Sequence, residues 1–321
     1  MPSKILAAAL AACAAAVVSP PALASCGSAF CSLNTDLAAQ ATGIAEGSTF
    51  DLRYEAIDQT QPRAGSDKVA VGQIPAHHDE ISTRNRNLVA TYSRTFASGW
   101  GLAVAAPLSD REHAHIHNHR GERVLETWDF RKIGDLRVTG RYQMALAGSD
   151  AAPRTVGFVA GVKLPTGRTN VANADGDLAE RSLQPGTGTT DAILGAFLHQ
   201  QLPQRAASWF AQAQVQRALK EHDGFRPGAQ LAVDLGYAQA FTDRFSGIVQ
   251  LNAVLKGHDR GAQAEPESSG SRSLFLSPGA GYQVTDNLRT YAYYQYPVAQ
   301  HVNGVQLTAR KAIVVGMSTR F

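Results

Sequence analysis

This sequence lacks the features that mark several large protein classes. After Ala24, no apolar run reaches the roughly 18 residues that a transmembrane helix needs. The 30 lysines and arginines against 27 aspartates and glutamates leave a net charge of +3, an excess too small to predict nucleic-acid binding. Only three cysteines occur, which excludes a dense disulfide scaffold. Helical periodicity is scarce outside roughly residues 33–45, so the chain is expected to be mainly β.

The N-terminus has the order of a secretory signal. Lys4 precedes an alanine-rich apolar run, and the small-residue sequence ALAS that follows predicts cleavage after Ala24, giving a signal peptide over residues 1–24. Cys26 and Cys31 then remain, and the oxidising periplasm favours a local disulfide between them. LASC also has the form of a lipoprotein signal, which would instead make Cys26 the lipidated first residue.

Apolar and polar residues alternate along the rest of the chain, as in strands with one apolar face. WGLAVAAPL, for example, places Trp100, Leu102 and Val104 on one side. The pattern predicts about twelve strands, near 49–59, 84–96, 99–109, 133–147, 153–165, 189–202, 206–217, 229–242, 245–257, 272–284, 287–298 and 309–321.

The connections between these strands favour a barrel over a soluble sandwich. Short turns alternate with long polar loops, an asymmetry typical of transmembrane barrels; we place the loops near 60–83, 110–132, 166–188, 218–228, 258–271 and 299–308. Aromatic residues beside the short turns, such as Trp100 and Phe245, fit an interfacial girdle. The last strand, KAIVVGMSTRF, ends on Phe321 without a polar tail, as expected if it pairs with the first strand and leaves no edge.

We therefore predict an all-β, antiparallel, up-and-down transmembrane β-barrel of about 12 strands over residues 49–321. Residues 25–48 precede it as a short helical or plug segment. Leu33, Leu37 and Ile44 give this segment a faint apolar stripe. It is either a periplasmic tether or a plug that enters the barrel from below.

The polar face of the strands is expected to line the lumen. Both signs of charge occur there, so the lumen must be hydrated or cross-linked by ion pairs, because an unpaired buried charge is costly. One interpretation is a narrow lumen braced by Asp–Arg pairs; the other is a pathway in which Arg137, Arg141 and Lys163 favour anionic or carboxylated aromatic solutes. The candidate lumen residues are Arg53, Glu55, Asp135, Arg137, Arg141, Lys163, Asp191 and Asp234.

A histidine-rich segment, REHAHIHNHRGER, lies in the second long loop. In an extended conformation its alternate residues His113, His115, His117 and His119 project to one side, a geometry that suits Zn, Cu or Ni. His77 and His78 of the first loop could join them. The alternative is a solvated, pH-sensitive loop. No obligate cofactor is expected.

Catalysis is not expected. QPGTGTTD lacks the lysine of a phosphate-binding loop, and QHVNG around His301 has no nucleophilic serine. A serine within hydrogen-bond reach of His301 or His199 would reopen that question.

The terminal aromatic residue on an amphipathic strand resembles the pattern of bacterial outer-membrane barrels. More narrowly, GVKLPTGRTN, RSLQPGTGTTD and PVAQHVNGVQLT are similar to segments of the meta-pathway phenol-degradation family of outer-membrane barrels. The resemblance implies a channel or transporter in the outer membrane of a Gram-negative bacterium, without a defined substrate. Its implied partners are membrane lipid, lipopolysaccharide, a small-molecule solute and the barrel-assembly machinery, which would recognise the strand ending at Phe321.

These expectations give two functions. The first is passive passage of small solutes, including aromatic and anionic ones, through an outer-membrane channel. The alternative is a non-conducting surface barrel whose histidine-rich extracellular loop captures metal ions.

Overall fold

The computed structural model describes residues 33–35, 46–75, 77–119, 122–146 and 152–321. The signal peptide, Cys26, Cys31 and the helical pattern over 36–45 lie outside these residues. The strands are β1 (Gly47–Ala64), β2 (Asp67–Lys68), β3 (His78–Thr95), β4 (Trp100–His119), β5 (Glu122–Ile133), β6 (Leu136–Leu146), β7 (Arg154–Leu164), β8 (Asp191–Leu202), β9 (Ala207–Ala218), β10 (Gln230–Ala240), β11 (Phe245–Lys256), β12 (Ser271–Gln283), β13 (Leu288–Val302) and β14 (Val305–Arg320). Two single-turn 3₁₀ helices span Pro203–Arg205 and Pro266–Ser268.

None of the helices in the described ranges has the length and apolar character needed to cross a bilayer.

The strands form one closed antiparallel barrel. Twelve of them pair in chain order, and β14 pairs with β1 to close the sheet. At the seam, the backbone N–H of Ser48 donates to Phe321 and that of Phe321 donates back to Ser48, at 2.9 and 3.0 Å. β5 pairs only with β4, and the two-residue β2 pairs with β1. The prediction of a twelve-stranded barrel closed at its C-terminus is therefore confirmed.

The outer face of the barrel is apolar because alternate strand residues point away from the lumen. Leu102, Phe158, Leu194 and Leu251 are all exposed on this face. Aromatic side chains ring its lower edge, where the rings of Phe241 and Phe245 stack 5.8 Å apart. This arrangement is the lipid-facing band of a membrane barrel, in which every backbone polar group is bonded between strands.

Exposed ion pairs mark the upper edge of the apolar band. Leu88 of β3 and Leu108 of β4 are paired in register and are its last apolar residues on these strands. Above them, Arg84 lies 3.3 Å from Glu112 on the outer face. The strands therefore continue beyond the membrane into the extracellular solvent.

Two predicted loops differ from the structure because of this extension. Residues predicted as the loop 110–132 form the end of β4, a tight connection and β5, so the histidine-rich segment is a strand. β1 also runs on to Ala64, and β3 begins at His78 rather than near residue 84. Above the bilayer the outer face of a strand meets water instead of lipid, and β4 carries Asp110 and Glu112 on this face, so the apolar alternation that marks the membrane part is lost there. The predicted loop 299–308 is likewise wrong: β13 and β14 meet at a tight turn, Asn303–Gly304.

Candidate functional site

The eight predicted lumen residues all lie on the inner face of the barrel. Glu55, Lys163, Asp191, Asp234 and Asp135 are buried. Arg53, Arg137 and Arg141 are half-buried. The interior is therefore polar and charged along much of its height.

A buried network centred on Lys163 lies on the inner wall in the upper half of the barrel. Lys163 Nζ lies 2.8 Å from Asp135 Oδ2 and 3.3 Å from Asp191 Oδ2. Asp135 also accepts bonds from the backbone N–H groups of Gly167 and Thr187, each at 3.0 Å. The network joins β6, β7 and β8 to the loop between β7 and β8.

The other predicted charges have different partners. Arg53 Nε lies 2.9 Å from Glu55 Oε1 on the same strand. Arg141 donates to the Thr95 hydroxyl at 2.8 Å, and Arg137 donates to the side-chain oxygen of Gln216. Two of the arginines on the wall are thus bonded to neutral groups.

A short piece of the N-terminal segment lies inside the lower lumen. Leu33 is buried against Tyr291, Tyr293 and other inward side chains. The Asn34 side-chain amide donates to the Gln212 side chain at 2.8 Å, and the Asn34 backbone carbonyl accepts from the Gln250 side chain at 2.9 Å. Residues 33–35 therefore contact inward side chains of β9, β11 and β13.

The loop between β7 and β8 folds into the extracellular mouth. Leu183 of this loop is buried in an apolar cluster with Trp128 and Phe130 of β5 and Leu307 of β14. Arg111 donates to the Leu183 carbonyl and, at 2.6 Å, to Asn85. The Trp128 indole N–H donates to the Asp177 carbonyl at 3.0 Å, so the loop is attached at several points.

The predicted histidines converge at this mouth. His113, His115 and His117 lie on β4, and His117 pairs in register with His78 of β3. The His115 Nε2 and His117 Nδ1 atoms each lie 3.0 Å from an oxygen of Glu126 on β5. His77 also contacts His117, at 3.1 Å between the two Nε2 atoms. β4 includes His119, but its side chain lies outside the described residues.

Burial shifts the pKa values of the groups at the mouth, which lie above the membrane. It lowers the pKa of His78 and His115 to about 4, because removing an imidazole from water disfavours its charged form. It raises the pKa of Glu180 to about 8 and that of Glu265 to about 9 for the same reason. Burial also opposes ionisation of Glu126, but hydrogen bonds from the histidines hold its pKa below the ordinary value.

Besides Glu80, whose Oε2 lies 3.8 Å from His113 Nε2, three carboxylates complete the cluster, and sequence reasoning missed all four. Glu126 follows the histidines on the neighbouring strand, whereas Glu180 and Glu265 come from loops far along the chain. Glu180 and Glu265 also line an extracellular cavity of about 510 Å³. The strand alternation would have identified Glu126 if β5 had been predicted; no sequence signal marks the other two.

A serine does lie close to His301, one of the two histidines that the sequence analysis considered for catalysis. Ser66 Oγ is 3.0 Å from His301 Nδ1 at the exposed end of the barrel. Among the described residues, no carboxylate forms an ion pair with His301, so this Ser–His contact lacks the acid that orients a catalytic imidazole.

The closed barrel, its apolar belt and its polar interior define an outer-membrane β-barrel of the channel type. The sequence matches the family model described as "Putative MetA-pathway of phenol degradation" over residues 90–308, and the chain belongs to this family. No curated protein matches it.

Solved structures agree with this class. The COG4313 outer membrane channel from Pseudomonas putida F1 is 11% identical, with a TM-score of 0.65, covering 90% of this chain and 99% of that one. The KdgM porin (10% identical, TM-score 0.42, 85% and 99% covered) and a Pseudomonas aeruginosa FadL homologue (11%, TM-score 0.37, 85% and 89% covered) are also similar. The first likeness shows the fold.

Proposed function

We propose that this protein is a passive channel for small organic solutes, including aromatic and anionic ones, with no chemical step. The observation that carries the proposal is a closed barrel whose interior is lined by polar and charged side chains. A lumen of this kind stabilises a hydrated solute through hydrogen bonds and charge while the apolar exterior stays in lipid.

The arginines of β6 support the preference for anions. Arg137 and Arg141 donate to the neutral acceptors Gln216 and Thr95, whereas Lys163 is bonded to two carboxylates. A carboxylate or phenolate solute can form charge-assisted bonds with Arg137 in exchange for its bond to Gln216. Replacing the bonds of Lys163 would instead require separating buried ion pairs.

Two segments are positioned to control the pathway. Residues 33–35 occupy the lower lumen, and the loop between β7 and β8 covers the mouth. We propose that the N-terminal segment acts as a plug and that the loop acts as a gate. We also propose that the signal over residues 1–24 directs export to the outer membrane.

Conductance in planar bilayers tests the channel. The mature protein, refolded in detergent, is expected to give discrete current steps, and deletion of residues 26–45 is expected to increase their amplitude. If neither protein conducts while both migrate as folded barrels, the channel proposal is wrong. If the deletion leaves the amplitude unchanged, only the plug is excluded.

Selectivity is tested by the reversal potential in a salt gradient. The double variant R137Q/R141Q is expected to shift it toward cation preference. R84Q, on the outer face above the membrane, is the matched control because it removes an arginine without changing the lumen. Equal reversal potentials for the wild type and the double variant would exclude a role of these arginines in anion preference.

A further inference from the structure

The histidines at the mouth form one continuous chain of contacts that starts at Glu126. As an ionised carboxylate, Glu126 accepts N–H hydrogens from His115 Nε2 and His117 Nδ1, each at 3.0 Å. Each neutral imidazole has one hydrogen, so the second nitrogen of each ring is an acceptor. His115 Nδ1 then accepts from His113 Nε2 at 3.1 Å. One carboxylate thereby fixes the tautomers on this side of the chain.

The other side of the chain ends at His78. His117 Nε2 accepts from His77 Nε2 at 3.1 Å, and His77 Nδ1 accepts from His78 Nε2 at 3.0 Å. These contacts use the single hydrogen of His78. Its Nδ1 is left with a lone pair that points away from the other imidazoles.

That nitrogen lies against a carboxylate rather than a donor. His78 Nδ1 is 2.9 Å from Glu180 Oε1, yet the two buried atoms are not aligned for a hydrogen bond with each other or with another group. Glu265 Oε1 lies 4.0 Å from the same nitrogen, and Glu265 Oε2 is also buried without a hydrogen-bond partner. His78 Nδ1 thus lies near an oxygen of each carboxylate, and within the described ranges both carboxylates form their ion pairs with His78.

We propose that His78, Glu180 and Glu265 bind a divalent transition-metal ion of the zinc class. Nitrogen and oxygen ligands of tetrahedral zinc lie about 2.0–2.2 Å from the metal, which places them about 3.4 Å from each other. The separations of 2.9 and 4.0 Å lie on either side of this value. Both glutamates also line the extracellular cavity, so water from the cavity can complete the coordination.

The surroundings hold the imidazole ligand in place. The His78 ring stacks on His115, with ring centroids 4.3 Å apart and an interplanar angle of 12°. Its Nε2 bond to His77 fixes the tautomer that exposes Nδ1, as outer contacts commonly do for metal-bound histidines. The three ligands come from the start of β3, the β7–β8 loop and the β11–β12 loop, so the ion would join both loops to the barrel wall.

The test is zinc titration by isothermal calorimetry of the full mature barrel, purified in detergent without a polyhistidine tag. We expect one ion per barrel in the wild type and at least about ten-fold weaker binding in E180Q/E265Q. The shift in gel mobility on heating checks that the double variant is folded, and the single variant E265Q is measured beside it. E267Q, an exposed glutamate of the same loop, is the matched control and is expected to bind as the wild type does.

A second readout uses Trp128, whose ring lies 4.9 Å from that of His115. Cobalt(II) bound at His78 is expected to quench Trp128 fluorescence in a W100F/W209F background, and E180Q/E265Q is expected to abolish the quenching. Zinc binding that is equal in the wild type and E180Q/E265Q, or absent from both, overturns the proposal. In the latter case a proton is shared between His78 and Glu180 instead.

Discussion

Replacing Lys163 with methionine tests whether buried charges brace the barrel. The ammonium group lies 2.8 Å from Asp135 and 3.3 Å from Asp191, and all three side chains are less than 8% exposed. The substitution keeps most of the aliphatic chain and removes only the charge. The two carboxylates then lose their ion-pair partner and keep Arg137 as a positive charge within electrostatic range, and breaking a buried pair in this way typically costs about 3–5 kcal/mol.

The remaining hydrogen bonds place the expected loss of unfolding free energy near the lower end, about 3 kcal/mol. Asp135 keeps its bonds from the backbone N–H groups of Gly167 and Thr187, and Asp191 keeps those from Thr189 and Gln216, both at 2.6 Å. These bonds solvate the carboxylates in part but supply no positive charge. The triple variant K163M/D135N/D191N removes all three charges and is expected to recover most of the loss.

Equilibrium urea unfolding of the barrel in lipid vesicles, followed by tryptophan fluorescence, measures both changes. R84M is the control, because the Arg84–Glu112 pair is more than half exposed and such a pair contributes only about 0–1 kcal/mol. A loss of unfolding free energy in K163M that is no greater than in R84M would contradict the bracing role of Lys163. A triple variant less stable than K163M alone would also contradict it.

Three further predictions concern the wall and the mouth. Leu251 lies six residues above the girdle residue Phe245 on β11. At about 3.3 Å per residue and a strand tilt near 40°, Leu251 is about 15 Å above the lower interface. In the same unfolding assay, L251R should therefore lower the unfolding free energy by about 2–4 kcal/mol, and F245R by about 0–1 kcal/mol. A Cβ atom at Gly236 would lie 2.1 Å from the Phe210 ring, so G236A should cost about 1–3 kcal/mol, whereas G140A, with its nearest atom at 3.7 Å, should be nearly neutral. L183A removes a buried anchor of the mouth loop and should increase single-channel current without changing heat-modified migration; an unchanged current would argue against the gate.

The barrel itself could be predicted because its signal is local and repeated. Each membrane strand places alternate side chains in lipid, so residues such as Leu102 and Val104 are apolar while their neighbours are small or polar. The inward positions of Arg53, Lys163 and Asp234 follow from the same alternation. Closure itself is shown by the pairing of β14 with β1.

The extension of the strands above the membrane was not predictable on the same basis. Between Ser109 and His119, the outer face of β4 carries Asp110 and Glu112. Its inner face carries polar residues that contact Trp128 and Phe130, so polar residues occur on both faces. The segment therefore has the composition of a loop and the geometry of a strand. β5 does alternate, with Trp128 and Phe130 buried between exposed neighbours, but it fell within the predicted loop, which also hid Glu126 from the predicted histidine cluster.

The sequence by itself determined a lipid-facing barrel, because the alternation of apolar and polar residues within each membrane strand depends only on neighbouring residues. Only the tertiary structure decided that the β7–β8 loop covers the mouth and that Glu180 and Glu265 meet His78. Those contacts join residues about 100 and 190 positions away from His78. They depend on the paths of loops whose backbone is held by individual side-chain bonds rather than by a repeating pattern.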